Sequence, residues 1–393
     1  MMRNSKIFIF ICAAAVFFVQ ELPGCRAGDD RVLENTWRGY KHFFIQDDGR
    51  VVRPADGRDT VSEGQAYAML RAVWMDDRDI FDRCYRWTEK NLSRKKEKGD
   101  NLLAWRWKDG EVSDWMPASD ADIDYALSLI FAGAKWGASQ PAGLMSYGEK
   151  AQALLEDILD NLTFESGSGT LYLAPWIIDK DRKDAFPQNP SYYSPAHFRI
   201  FYRHTGDKRW LSLIDTSYFI FNSLSGGLAE AEGRGLIPDW CAVTDKDEFI
   251  PLEGKNAGFG WEAVRVPLRA GLDYLWFREE RALSFLRKGF RPFLEREWES
   301  GRRVYAEYEY DGSPGNGFEN PAFYSSYYIA LHLTGSPYDE EFRGKVNTFL
   351  KKDGETWFYK DKDDYYTNSL AWLAEGVRAG IIKYFQQERA QDE

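Results

Sequence analysis

The sequence predicts an all-α fold, an (α/α)6 barrel of six inner and six outer helices with minor accessory strands. Two observations predict it. Helical apolar periodicity, with its stop signals, recurs about twelve times along the chain. Segments apolar all round, which must be buried on every side, alternate with segments apolar on one face only. No Gly/Ser/Pro linker or charge block divides the chain, so residues 28–393 read as one domain and a monomer is expected.

The helical segments run over 33–46, 62–75, 77–92, 119–136, 146–162, 193–205, 207–224, 259–277, 279–293, 320–334, 338–351 and 368–386. The second, 62–75, is apolar almost all round (Tyr67, Met69, Leu70, Val73, Trp74), whereas the third carries Asp77, Arg78, Asp79, Asp82, Arg83, Arg86 and Lys90. The 119–136 segment again buries every face, with Ile123, Leu127, Ile130 and Phe131 on one side and Tyr125, Leu129 and Trp136 elsewhere. Its successor is amphipathic: Leu154, Leu155, Ile158 and Leu162 oppose Glu149, Lys150, Glu156, Asp157 and Asp160. The contrast recurs at 259–277/279–293 and 320–334/338–351. Antiparallel succession would point all inner helices one way, so their N-terminal ends meet at one mouth. A helical solenoid would need a fixed repeat period, and none is visible. Short strands are expected around Thr170–Leu173 and Arg303–Ala306.

The N-terminus reads as an export signal: Arg3 and Lys6 precede the apolar run Ile7–Val19, too short to span a bilayer. Cleavage could follow Cys25-Arg26-Ala27, making 1–27 a signal peptide. Leu22-Pro23-Gly24-Cys25 also resembles a lipoprotein box, with Cys25 as the anchor. A secreted or periplasmic protein with no transmembrane span in its mature form is expected. Cys84 and Cys241 then remain, and spacing leaves their pairing open. With four histidines and no HExxH or CxxC arrangement, neither a metal nor a cofactor is expected. The net charge of -11 and the balanced cluster Arg94-Lys95-Lys96-Glu97-Lys98 point away from nucleic acid. Aromatic residues make up 16% of the chain, more than core filling asks for, and flat aromatic faces suit neutral sugars.

Candidate chemistry gathers where the inner helices begin. Ser62 and Gln65 stand at capping-box spacing, placing Glu63 in the first turn of a buried helix. A first-turn Glu can merely complement the helix dipole. The next inner helix opens Ser119-Asp120-Ala121-Asp122, with more acids than a cap needs. Gly260-Trp261-Glu262-Ala263-Val264-Arg265-Val266-Pro267 opens a third, where Pro267 delays or kinks the helix and Arg265 can pair with an acid. Asp239 in Pro238-Asp239-Trp240 adds an acid–aromatic loop, and Tyr192, Tyr193, Trp105 and Trp107 are candidate sugar platforms. Carboxylates flanking one bond are what glycoside hydrolysis requires.

At these residues the chain resembles glycoside hydrolase family 8, the family of bacterial endoglucanases, chitosanases and some xylanases and lichenases. Thr60-Val61-Ser62-Glu63-Gly64-Gln65, Ala118-Ser119-Asp120-Ala121-Asp122, Asn189-Pro190-Ser191-Tyr192 and Pro238-Asp239-Trp240 match family segments. The resemblance implies Glu63 as proton donor, Asp120 as the aspartate that holds the sugar in the cleaved subsite, and Glu262 as general base. Asp122, Trp105, Tyr192, Tyr193, Asp239, Arg265 and Trp261 are the candidate substrate-binding residues around them. The resemblance also implies an inverting hydrolase of a β-1,4-linked polysaccharide such as cellulose or a β-glucan, with chitosan or xylan as alternatives. Two departures stand out: Trp261-Glu262 replaces the Tyr-Asp of the family's cellulases, and His197 stands where they often carry a stacking Trp. A non-hydrolytic carbohydrate binder serving exopolysaccharide export is the reading from another class.

Overall fold

The structure, a computed structural model, describes residues 27–137, 142–180, 185–229 and 231–386. The expected signal peptide and the lipoprotein box at Cys25 lie outside the described residues.

Outer and inner helices alternate along the chain. α1 (Ala27–Phe44) is outer, α2 (Ser62–Trp74) inner, α3 (Arg78–Asn91) outer, and α4 (Lys95–Lys98) a single exposed turn. Then α5 (Ser119–Trp136) is inner, α6 (Tyr147–Asn161) outer, α7 (Pro195–Thr205) inner and α8 (Arg209–Gly226) outer. α9 (Val266–Phe277) is inner, and α10 (Glu280–Lys288) with α11 (Phe290–Gly301) forms a broken outer element. α12 (Pro321–Thr334) is inner, α13 (Asp339–Thr348) outer, and α14 (Tyr365–Leu370) with α15 (Leu373–Arg378) closes the inner ring. Each inner element packs on the next, and α14 returns to α2, giving the (α/α)6 barrel. Burial follows the sequence pattern. Every residue of α5 from Ser119 to Ala132 and of α12 from Pro321 to Leu331 is buried, whereas α6 buries only one face through residues such as Leu154, Leu155 and Ile158. Among the described residues no helix is long and apolar enough to cross a membrane.

Four expectations are corrected in detail. Regular helix α9 starts at Val266, because the chain first makes a 3-10 turn over Ala263–Arg265 and Pro267 lacks the donor an earlier helix would need. The last inner element spans 365–378 and breaks once instead of running through 368–386. Arg303–Ala306 forms no strand, whereas Leu171–Leu173 pairs with Thr163–Glu165. The expected capping box at Ser62/Gln65 is absent: neighbouring chain satisfies the helix end instead, with the Ser62 amide donating to the Trp105 carbonyl at 2.9 Å. Gln65 points inward and accepts from the Val51 amide at 2.6 Å. Cys84 and Cys241 are both buried and free.

Outer helix α1 lies backbone to backbone on the strand Thr356–Tyr359, since a Cβ on Gly39 would fall 2.0 Å from the Trp357 carbonyl oxygen. Gly39→Ala should therefore cost about 1–3 kcal/mol or more by overpacking. Gly148→Ala in α6, where a Cβ meets nothing within 4 Å, should be neutral or stabilise by up to about 1 kcal/mol. Urea unfolding of the two variants checks the contrast.

Candidate active site

The entrance of α2 is fixed by a small sheet in which Thr60–Val61 pairs with Arg106–Lys108, itself paired with Glu111–Asp114. This pins Glu63 in the first turn with its carboxyl at the barrel mouth. Asp120 stands in the first turn of α5. Glu262 is set by a tight turn built on Asp239, whose Oδ1 accepts from the amides of Gly260 (2.9 Å), Glu262 (3.0 Å) and Ala263 (2.8 Å). Gly260 is needed there because a Cβ would lie 2.7 Å from Asp239 Oδ2, which accepts from Asn256 Nδ2 at 2.8 Å.

Arg265 joins these elements. Its Nη1 donates to Glu63 Oε2 at 2.9 Å and to Asp120 Oδ2 at 2.6 Å, while Nη2 donates to Ser191 Oγ at 2.9 Å and to Glu262 Oε2. Asn189 Nδ2 donates to the same Glu262 oxygen at 3.0 Å, and its Oδ1 accepts from the Ser191 amide at 3.1 Å. The nearest oxygens of Glu63 and Glu262 are thus separated by no more than two hydrogen bonds and the width of one guanidinium, roughly 8 Å at most. Burial raises the Glu63 carboxyl; Arg265 opposes, Asp120 and Glu262 add to the rise, and Tyr365, whose hydroxyl donates to Glu63 Oε1 at 3.2 Å, opposes weakly. The result is a carboxyl pushed up to about 7, so burial overrides the pull of Arg265.

Around this cluster opens a cleft of about 710 Å³. Glu63, Asp120 and Glu262 line it together with Trp105, Tyr192 and Trp261, so six of the residues singled out from sequence converge. Trp261 is fixed by its Nε1 donating to Glu307 Oε1 at 2.7 Å and by its backbone carbonyl accepting from the Tyr366 hydroxyl at 2.8 Å.

Four others do not face the cleft. Asp122 is fully buried and accepts from the Leu103 amide at 3.0 Å, anchoring the chain that leads to Trp105. Tyr193 is also fully buried, its hydroxyl accepting from the Leu173 amide at 2.9 Å and reaching Gln188 Oε1 at 2.5 Å. Asp239 spends both oxygens on the turn, and Arg265 spends its donors on protein. All four brace protein in this structure, and none lines the cleft. His197 lies in the barrel core, stacked on Trp276 with centroids 6.1 Å apart, and does not line the cleft.

Sequence reasoning missed Arg53, Asp56, Asn189, Ser191, Lys360, Asp361, Asp363, Asp364, Tyr365 and Tyr366. Arg53, Asp56, Lys360, Asp361 and the run 363–366 line the cleft. Asp364, which caps α14 by accepting from the Thr367 amide at 3.0 Å, was the legible signal for the second group.

Known proteins share this sequence pattern and fold. The family model described as glycosyl hydrolases family 8 matches residues 18–339. Endoglucanase A of Acetivibrio thermocellus is 30% identical over 359 residues, covering 87% of this chain and 68% of that protein. Against endoglucanases of Ruminiclostridium josui and Ruminiclostridium cellulolyticum the chain spans about half of their length, 54% and 52%. A beta-1,3-1,4-glucanase from Paenibacillus sp. X4 superposes with a TM-score of 0.74 at 24% identity, over 90% of this chain and 92% of that one. A reducing-end-xylose releasing exo-oligoxylanase does so with a TM-score of 0.74 at 22% identity, over 93% and 96%. At these identities the structural likeness speaks for the fold.

Because the folded protein favours protonated Glu63, its contribution to stability is full below the ordinary carboxyl value of 4.5 and is lost as pH rises towards and through about 7. Glu63→Gln, which cannot ionise, should match the wild type near pH 4.5 and surpass it increasingly up to pH 8. Thermal unfolding of both proteins across that range checks the sign.

Proposed function

The chain belongs to glycosyl hydrolases family 8, and from that membership we propose that this glycoside hydrolase cleaves a β-1,4-linked glucan by single displacement with inversion. Protonated Glu63 gives its proton to the glycosidic oxygen as the bond to the anomeric carbon breaks. Glu262 takes a proton from water attacking the opposite face of the sugar. Asp120 holds ring hydroxyls and favours the flattened, oxocarbenium-like ring. Trp105, Tyr192 and Trp261 offer flat faces along the cleft on which sugars stack. The observation that carries this reading is the shared arginine: it brings carboxyls from two separate inner-helix entrances within one guanidinium of each other, and burial pushes the one on α2 up to about 7. Export through the segment read at residues 1–27 would place this activity where such polymers occur.

The substrate assignment draws on the endoglucanase names of the sequence relatives. A polymer of cationic amino sugar is the second reading. Beyond the three carboxyls of the cluster, the cleft is lined by Asp56, Asp361, Asp363 and Asp364, against Arg53 and Lys360 as its cations. Xylan is a third polymer to try, given the exo-oligoxylanase among the structural neighbours. A pure carbohydrate binder would have no use for a carboxyl poised near neutrality.

Purified protein is incubated with carboxymethyl-cellulose, lichenan, xylan and chitosan, and product anomers are followed by NMR. The first product should be the α-anomer; a β-anomer, or no hydrolysis of any of the four, contradicts the reading. Glu63→Gln should lower kcat by about 10²–10⁴-fold. Wild-type activity should fall with rising pH through about 7, as Glu63 gives up its proton.

A further inference from the structure

Directly beneath the Arg265 cluster lies a second charged layer that the proposed chemistry does not use. Asp124 follows Asp120 by one turn on α5, and Arg269 follows Arg265 by one turn towards the barrel floor. Arg269 Nη1 donates to Asp124 Oδ1 at 2.5 Å and Nη2 to Oδ2 at 2.8 Å, a fork-to-fork pair with both residues buried. Asp120–Arg265 and Asp124–Arg269 are therefore two rungs of one ladder between α5 and α9. The lower rung borders an internal cavity of about 40 Å³, whose wall also includes Tyr67, His197, Ser369 and Trp372. Around it the titratable groups are Tyr67 from α2, His197 from α7 (Nδ1 3.4 Å from Asp124 Oδ1) and Arg265 itself. Burial and the Arg269 charge hold His197 neutral. The groups facing Glu63 are Arg265, Asp120, Glu262, Tyr365, Tyr67, Tyr366 and Tyr192.

We propose that Asp124 and Arg269 are positioning residues for the hydrolysis assigned above. They hold α5 and α9 in the register that lets Asp120 meet Arg265, and they keep the layer under the catalytic carboxyls electrically neutral. The argument rests on that functional reading only for its activity readout. An arginine stays charged in any protein environment, so removing its partner leaves a cation under the cluster. That cation would stand roughly 9 Å from Glu63, one helical turn beyond Arg265. At that separation in a partly polar medium it favours ionised Glu63 by about one pH unit.

The test is the pH profile of kcat/KM with the wild type as baseline, beside kcat, KM and thermal unfolding for Asp124→Asn and for the pair Asp124→Asn/Arg269→Met. Asp124→Asn should move the alkaline limb down by about one pH unit, from the position near 7. The double variant, with no stranded charge, should return the limb to the wild-type position while kcat stays about tenfold down and KM within about twofold, because the register is no longer fixed. An Asp124→Asn protein with the wild-type limb and only a lowered Tm overturns the electrostatic half. If Asp124→Asn does not fold, the double variant decides: wild-type kcat overturns the proposal and a selective loss of kcat supports it. An inactive wild type would instead overturn the functional reading, so the two failures are distinguishable.

Discussion

A single guanidinium shared by three carboxyls is the constraint on which the rest of the structure depends. Arg265 is almost wholly buried, and Glu63, Asp120 and Glu262 reach it from different directions. Three like charges crowded on one cation, with Asp120 buried and Glu63 and Glu262 partly so, repel one another unless one is neutral. The raised Glu63 carboxyl eases the conflict: with one proton kept, the cluster carries less negative charge, and the group that holds the proton is the one placed to donate it. A planar fork with several donors can serve three acids and Ser191 at once, which the ammonium of a lysine cannot do in fixed directions.

Much of the surrounding fold exists to set that arginine and its partners. The late start of α9, enforced by Pro267 and the 3-10 turn before it, keeps Glu262 and Arg265 on a short rigid arc at the mouth. Asp239 ties the arc down through three backbone amides, and Asn189 with Ser191 braces it from the entrance of α7. Asp122 performs a similar duty on the far side by anchoring Leu103. These polar residues sit within reach of the site yet act on backbone. Their presence in acid-rich loops is what makes a sequence look richer in sugar-binding groups than the cleft turns out to be.

The barrel was legible because its two rings obey different burial rules, and a helix such as α12, buried from Pro321 to Leu331, cannot be mistaken for a surface element. That Glu63, Asp120 and Glu262 meet at one cleft was legible because each opens a segment too apolar to need an acid there. Caps were misread because the spacing of Ser62 and Gln65 describes a local bond, whereas the pairing of Ser62 with Trp105 arises only in the assembled fold. Tyr192 and Tyr193 are adjacent, yet one lines the cleft and the other is sealed in the core, a distinction that sequence adjacency cannot carry. Tyr365 and Tyr366 escaped notice because the last inner helix begins earlier than its apolar pattern does, on the polar cap Asp364.

The account stands or falls on the proton held by Glu63. The direct measurement is a pH titration of the wild-type protein labelled with ¹³C at the glutamate carboxyls, with the Glu63 signal assigned by its loss in Glu63→Gln. The account predicts a Glu63 midpoint near 7. A midpoint at or below the ordinary 4.5 would mean that Arg265 and the helix dipole outweigh burial, and Glu63 could not then serve as the acid.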